Sequence, residues 1–137
     1  MGQQHDQAYL NPHSPRLTVW YNTLCPVCDA GIKGQRRRLI ELVKAGEIEF
    51  RNINLEPNAL QRFGAGLEDI RRRLHATDNQ GHLLTGADVA IAIWRMTPGQ
   101  GWLAAVAGNA AILPVSRFVY DRFADILYAW NRHKGHW

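Results

Sequence analysis

The two cysteines of the chain lie close together, in the run Cys25-Pro26-Val27-Cys28. Two thiols at this spacing can close a small disulfide ring, exchange disulfides with another molecule, or supply two ligands to a zinc ion. The 137 residues contain no other cysteine. The pair is therefore the first candidate for chemistry in this chain.

The segments on either side of the pair predict how the two thiols differ. Residues 17–21 are β-branched and aromatic and predict a buried strand, and Pro26 suits the first position of a helix, where no amide hydrogen is needed. Cys25 would then lie at the N-cap, where free backbone N–H groups lower a thiol pKa from about 8.5 to about 3.5–7.5. We expect Cys25 to be the nucleophile and Cys28, lower and drier, to be the resolving thiol.

Two other uses of the cysteine pair remain open from the sequence. A zinc site would need further ligands, for which only His75, His82, His133 and His136 are candidates, without the usual ligand spacing. A structural disulfide would close a very short loop and gain little chain entropy. We predict no metal and no cofactor.

Composition limits the other functions that the chain can have. With 46% hydrophobic and 20% charged residues, the chain is one ordinary domain. Residues 1–16 are polar and predict a flexible tail rather than a signal peptide, and no apolar stretch is long enough for a membrane span, so we expect a cytoplasmic protein. The net charge is +4, but Arg36–Arg38 and Arg71–Arg73 occur in helix-like segments beside acidic residues. We read them as solvated helix faces and expect no nucleic-acid partner.

The remaining pattern predicts an α/β domain. Helix 26–45 and strand 48–53 complete a βαβ unit, short helical pieces follow at 57–63 and 67–73, and strands 74–77 and 82–85 form a hairpin around a turn at 78–81. These elements make a four-stranded mixed sheet flanked by helices. Helices are then expected at 89–94, 102–107 and 114–132.

The last predicted helix has an apolar stripe with three- and four-residue spacing. Its members include Phe118, Phe123, Ile126 and Trp130. We expect this stripe to pack into the core, with Asp121 and Asp125 facing water.

Several segments together resemble the DCC family of thiol-disulfide oxidoreductases. They are Tyr21-Asn22-Thr23-Leu24-Cys25-Pro26-Val27-Cys28, Leu74-His75, Thr85-Gly86-Ala87-Asp88, Trp94-Arg95, Pro98-Gly99 and Trp102-Leu103, followed by the late aromatic helix. The resemblance implies a thioredoxin-like fold over residues 17–133, with 102–133 as a helical C-terminal extension. It also implies thiol-disulfide exchange through Cys25 and Cys28.

The sequence departs from the family pattern just before the first cysteine. Members usually carry Tyr-Asp-Gly-Asp there, whereas this chain has Asn22 and Leu24 at the two acidic positions. Fewer nearby carboxylates should favour a Cys25 thiolate. Asp29 is the one nearby carboxylate left to accept a proton, although a solvated first-turn residue is its plainer interpretation. Trp20 and Trp94 either line the approach to the cysteines or, as we favour, pack in the core.

The expected substrate is a disulfide-containing protein or a small thiol compound. The Cys-Pro-x-Cys order resembles glutaredoxins, so glutathione is one expected reductant and a thioredoxin system is the other. The alternative function is a non-catalytic thioredoxin-like module that binds a protein partner, with the cysteines kept as a redox sensor or zinc clamp.

Overall fold

A computed structural model describes residues 14–137 of the chain. Its four strands are β1 (Leu17–Tyr21), β2 (Ile48–Asn52), β3 (His75–Asp78) and β4 (Leu83–Thr85). They form one sheet in the order β2-β1-β3-β4, with β1 parallel to β2 and the other neighbours antiparallel. The predicted four-stranded mixed sheet is confirmed.

Six α-helices surround this sheet in the described part of the chain. They are α1 (Pro26–Arg38), α2 (Ile40–Lys44), α3 (Leu67–Arg72), α4 (Ala87–Met96), α5 (Gly101–Ala107) and α6 (Leu113–Lys134). The expected single helix over 26–45 is wrong in one respect, because it is broken at Leu39, whose φ of −105° and ψ of 16° are not helical. The Leu39 side chain is 1% exposed and packs in the core, so the residue at the break is held by its buried side chain.

The sheet is covered by apolar side chains on both faces. Because side chains alternate along a strand, Val19 and Tyr21 of β1 point to one face and Trp20 to the other. The first face packs on α1 and α4, with Ile32 and Ile93 among its buried residues. The second packs on α3 and on two 3-10 turns, Ile53–Leu55 and Gln61–Phe63. Of the helical piece expected at 57–63, only the 3-10 turn Gln61–Phe63 forms, and the turn Ile53–Leu55 begins where strand 48–53 was expected to end.

Helix α6 presents the opposite face to the one expected. The stripe predicted to lie in the core is exposed, with Phe118 at 63% and Ile126 at 71%. The side of the helix that faces the domain carries the two aspartates expected in water. Arg73 Nε contacts Asp121 and Arg73 Nη2 contacts Asp125, each at 2.9 Å.

A tyrosine adds to this attachment of α6. The Leu74 N–H donates to the Tyr120 hydroxyl at 3.0 Å, and burial, the largest influence, raises the pKa of that hydroxyl to about 12. Charge pairing and hydrogen bonding therefore set the orientation of α6.

The tail predicted over residues 1–16 lies mostly outside the described residues. Of its last part, Arg16 donates its backbone N–H to the Glu47 carbonyl at 2.8 Å and pairs with the Glu47 carboxylate at 2.7 Å. Arg16 is therefore attached to the residue that precedes β2.

Candidate active site

Cys25 is the N-cap residue of α1, as predicted. Its φ of −82° and ψ of 113° are extended, and Pro26 occupies the first turn of the helix. The Cys28 backbone N–H donates to Cys25 Sγ at 3.2 Å. The sulfur thus takes the place of the capping oxygen in an ordinary N-cap, at the positive end of a 13-residue helix.

The surroundings of the two sulfurs separate their acidities. The pKa of Cys25 is lowered from 9.0 to about 6. Its sulfur accepts hydrogen bonds from the Cys28 side chain, from the backbone N–H groups of Cys28 and Val27, and from the Asn131 side chain. Together these hydrogen bonds outweigh burial, which by itself raises the pKa. The pKa of Cys28 is raised, chiefly by its hydrogen bond to Cys25, then by burial and by the negative charge of Cys25. The pair therefore holds one proton, on Cys28, at neutral pH.

The relative exposure of the thiols is the reverse of what the sequence predicted. Cys25 is 0% exposed, whereas Cys28 retains partial exposure. The expectation that Cys28 would be the drier thiol overlooked the C-terminal helix, which closes over the N-cap. A substrate cannot reach Cys25 Sγ unless the groups above it move.

One of those groups is Asn131, which the sequence analysis missed. Asn131 lies on the inner side of α6, is 1% exposed, and hydrogen-bonds the Cys25 sulfur. Its Oδ1 lies 2.6 Å from His136 Nδ1. Because Oδ1 is taken by His136, the Nδ2 amide group is the one available to donate to sulfur.

A cavity of about 350 Å³ lies beside the cysteine pair, with Cys28 in its wall. Its lining is mainly apolar and comes from α1, α4 and α6, including Ile32, Ile93, Trp94, Phe123 and Leu127. Ligand pockets typically measure about 300–1,000 Å³, so this one admits a small molecule or one to two side chains of a peptide.

A buried asparagine also lines this cavity. Asn22 is 2% exposed, and its Oδ1 accepts from the Leu24 N–H at 3.1 Å and from Asn54 Nδ2 at 2.6 Å. Arg71 Nη2 fixes Asn54 in turn, at 2.8 Å from Asn54 Oδ1. Asn22 Nδ2 has no hydrogen-bond partner among residues 14–137. Asn22 Nδ2 is thus a buried donor without a partner in the described part of the chain.

The other residues singled out from the sequence lie at varied distances from the chemistry. Pro26 is at the start of α1 as expected. The Asp29 carboxylate is 2.8 Å from Lys33 Nζ, so it forms an ion pair within the helix. Trp20 is 6% exposed and packs in the core between the sheet and α3, whereas Trp94 is partly exposed in the cavity wall.

Other kinds of site find little support in the described part of the chain. No group of three or more histidine, cysteine or acidic side chains there could hold a metal ion. His75 is buried on β3, with its Nδ1 3.0 Å from the Arg73 carbonyl, and burial lowers its pKa. None of the described helices combines the length and apolar character needed to cross a membrane.

A four-stranded mixed sheet with a helix-capping dithiol defines a thioredoxin-like protein of the thiol-disulfide oxidoreductase class. A comparison with protein families agrees, because the DCC1-like thiol-disulfide oxidoreductase model matches residues 19–133. The chain belongs to that family. No curated protein matches the chain, and no solved structure matches it.

Proposed function

We propose that this protein catalyses thiol-disulfide exchange with Cys25 as nucleophile and Cys28 as resolving thiol. The observation that carries this proposal is the Cys25 sulfur at the N-cap of α1, with a pKa of about 6 and a second thiol hydrogen-bonded to it. At neutral pH such a sulfur is mostly thiolate, the species that attacks disulfides.

The proposed reaction balances as two successive exchanges. The Cys25 thiolate attacks one substrate sulfur, forming a mixed disulfide and expelling the other substrate sulfur as a thiolate, which takes a proton from Cys28. Cys28, now a thiolate, attacks Cys25 Sγ and releases the second substrate sulfur as a thiolate, which takes its proton from water. The substrate gains two electrons and two protons, and the protein is left with a Cys25–Cys28 disulfide.

The oxidised protein must be returned to the dithiol by an external reductant. We propose glutathione or a thioredoxin system for this step, and a cytoplasmic location, where such reductants operate. The substrates we propose are disulfide-containing proteins or small thiol compounds. The cavity, which has Cys28 in its wall, supports a substrate that inserts a small apolar group next to the resolving thiol.

Exchange at Cys25 also requires a movement. Its sulfur is 0% exposed, and in-line attack needs direct contact between sulfurs. We propose that the C-terminal end of α6, which carries Asn131, moves aside when substrate binds. Asn131 therefore both stabilises the resting thiolate and limits access to it.

Trapping of mixed disulfides tests the proposed roles. In a Cys28→Ser variant, Cys25 should accumulate as a mixed disulfide with glutathione after incubation with glutathione disulfide, because the resolving thiol is gone. A Cys25→Ser variant is the matched control and should trap far less. Equal trapping by both variants would contradict the assignment, and trapping by neither would favour the non-catalytic binding module.

A further inference from the structure

The outer face of α5 and α6 exposes an unusual amount of apolar surface. Nine large apolar side chains between residues 102 and 130 are 40–71% exposed, out of thirteen in the described residues. We call this set the outer face. Its members are Trp102, Val106, Ile112, Val115, Phe118, Val119, Phe123, Ile126 and Trp130.

The size of the outer face exceeds what a monomer usually exposes. The four aromatic members have about 150–250 Å² of surface each and are about half exposed, so they present on the order of 400 Å². The five smaller valine and isoleucine members add roughly 250 Å². The largest apolar patch on a typical monomer is about 300–600 Å². A stable protein–protein interface buries about 800 Å² on each partner, and about 65% of it is apolar in homodimers. That apolar share is about 520 Å², so the outer face is large enough for one.

The shape of the outer face suits another helix. Val115, Val119, Phe123, Ile126 and Trp130 recur at steps of four, four, three and four residues, which makes one continuous stripe along the 22-residue helix α6. Beside the stripe, a groove of about 390 Å³ runs between α4 and α6, with Trp94 and Val119 in its walls. Projecting side chains such as Phe118 can fill such a groove on a facing copy.

Two arginines of α6 near the outer face are paired with acids, which favours a protein partner over a lipid surface. Anionic lipids attract unpaired Lys and Arg beside an apolar helix face. Here Arg117 pairs with Asp88 at 3.1 Å, and Arg122, at the edge of the face beside the Phe118 ring, pairs with Asp125 at 2.8 Å. These pairs are locally neutral and suit the polar rim of a protein interface.

We propose that the outer face joins two copies of this chain in a two-fold dimer, with α6 of each copy packed against α6 of the other. A two-fold interface uses the same patch on both copies, which a stripe beside a groove allows. The inner side of the same helix supplies Asn131 to Cys25, so the proposed interface and the cover of the active site lie on opposite sides of α6.

The oligomeric state in reducing buffer tests this proposal. Light scattering during gel filtration should give twice the chain mass for the wild type. Ile126→Glu and Phe118→Glu should give the monomer mass with an unchanged circular dichroism spectrum, because the two side chains are 71% and 63% exposed and support no core. Leu55→Glu is the matched control, because Leu55 is 79% exposed but belongs to the turn Ile53–Leu55 between β2 and α3, outside α5 and α6. The Leu55→Glu variant should remain dimeric.

Three results would overturn the proposal. The wild type could be monomeric at all concentrations, the dimer could survive both α6 substitutions, or a monomer could sediment with phosphatidylglycerol vesicles. The last result would assign the outer face to lipid. All three are independent of the trapping experiment, so the proposed exchange activity stands or falls separately.

Discussion

Replacing Asn131 with alanine should make Cys25 less acidic. The Asn131 side chain hydrogen-bonds the Cys25 sulfur from the far end of the chain, and its own orientation is fixed by His136 Nδ1 at 2.6 Å. A hydrogen bond to a charged group contributes about 1.5–3 kcal/mol. Water entering the space left by Asn131→Ala would replace part of this hydrogen-bond energy. The thiolate would then lose about 1.4 kcal/mol of stabilisation, which raises the pKa of Cys25 by about one unit.

This shift has a measurable consequence at neutral pH. With a pKa of about 6 in the wild type, about nine-tenths of Cys25 is thiolate at pH 7, and about half would be in the variant. The same substitution uncovers the sulfur, so its limiting reactivity at high pH should increase. We therefore expect the pH–rate curve of iodoacetamide alkylation to move to higher pH while its plateau rises.

Mass spectrometry of the alkylated, reduced protein across a pH series gives both quantities. Asn131→Asp should raise the midpoint further than alanine does, because it places a second negative charge beside the thiolate. Lys134→Ala, an exposed residue in the last turn of the same helix, is the control and should leave the curve unchanged. A midpoint that stays near 6 in Asn131→Ala would refute the role given to Asn131.

Three further outcomes follow from the structure. In the reduced protein, the free energy of unfolding in urea should rise between about pH 6 and 9 relative to Cys25→Ser, by up to about 4 kcal/mol. The reason is that the pKa of Cys25 in the folded protein lies below its ordinary 9.0. This contribution to stability is lost as the pH falls through 6. Arg73→Ala should lower the free energy of unfolding by about 1–2 kcal/mol after allowance for solvent screening, because both ion pairs of Arg73 with α6 are lost. Arg37 is exposed, and Arg37→Ala should change the free energy of unfolding little. Gly86→Ala should lower the free energy of unfolding by about 1–3 kcal/mol in the same urea measurement, because the φ of Gly86 is +61° and a Cβ there would lie 3.3 Å from the Tyr120 ring of α6. A Cβ at Gly34 meets no atom within 4 Å, so Gly34→Ala should be neutral or stabilising.

The parts of the fold that the sequence predicted are those with local signals. Pro26 after a β-branched strand predicts a helix start, and that alone places Cys25 at the N-cap. The strands have clear apolar runs and turns between them, so the sheet could be predicted as well. The break at Leu39 could not, because a leucine inside a helix-like run carries no local signal for it.

The orientation of α6 shows what periodicity leaves open. A stripe at three- and four-residue steps predicts an apolar helix face, but it does not tell a core face from an interface. Here Asp121 and Asp125 face the domain and pair with Arg73, and the stripe lies on the outer side. Asn131 was missed for the same reason, because its contact with Cys25 depends on where this helix docks.

The central claim is that Cys25 ionises near neutral pH because backbone and side-chain donors converge on its sulfur. The most direct measurement is a titration of thiolate ultraviolet absorbance in the reduced wild type and in Cys25→Ser. In the wild type, one thiolate should form with a midpoint of about 6, and it should be absent from the variant. A first ionisation near the ordinary thiol pKa of 9.0, or one that persists in Cys25→Ser, would contradict it.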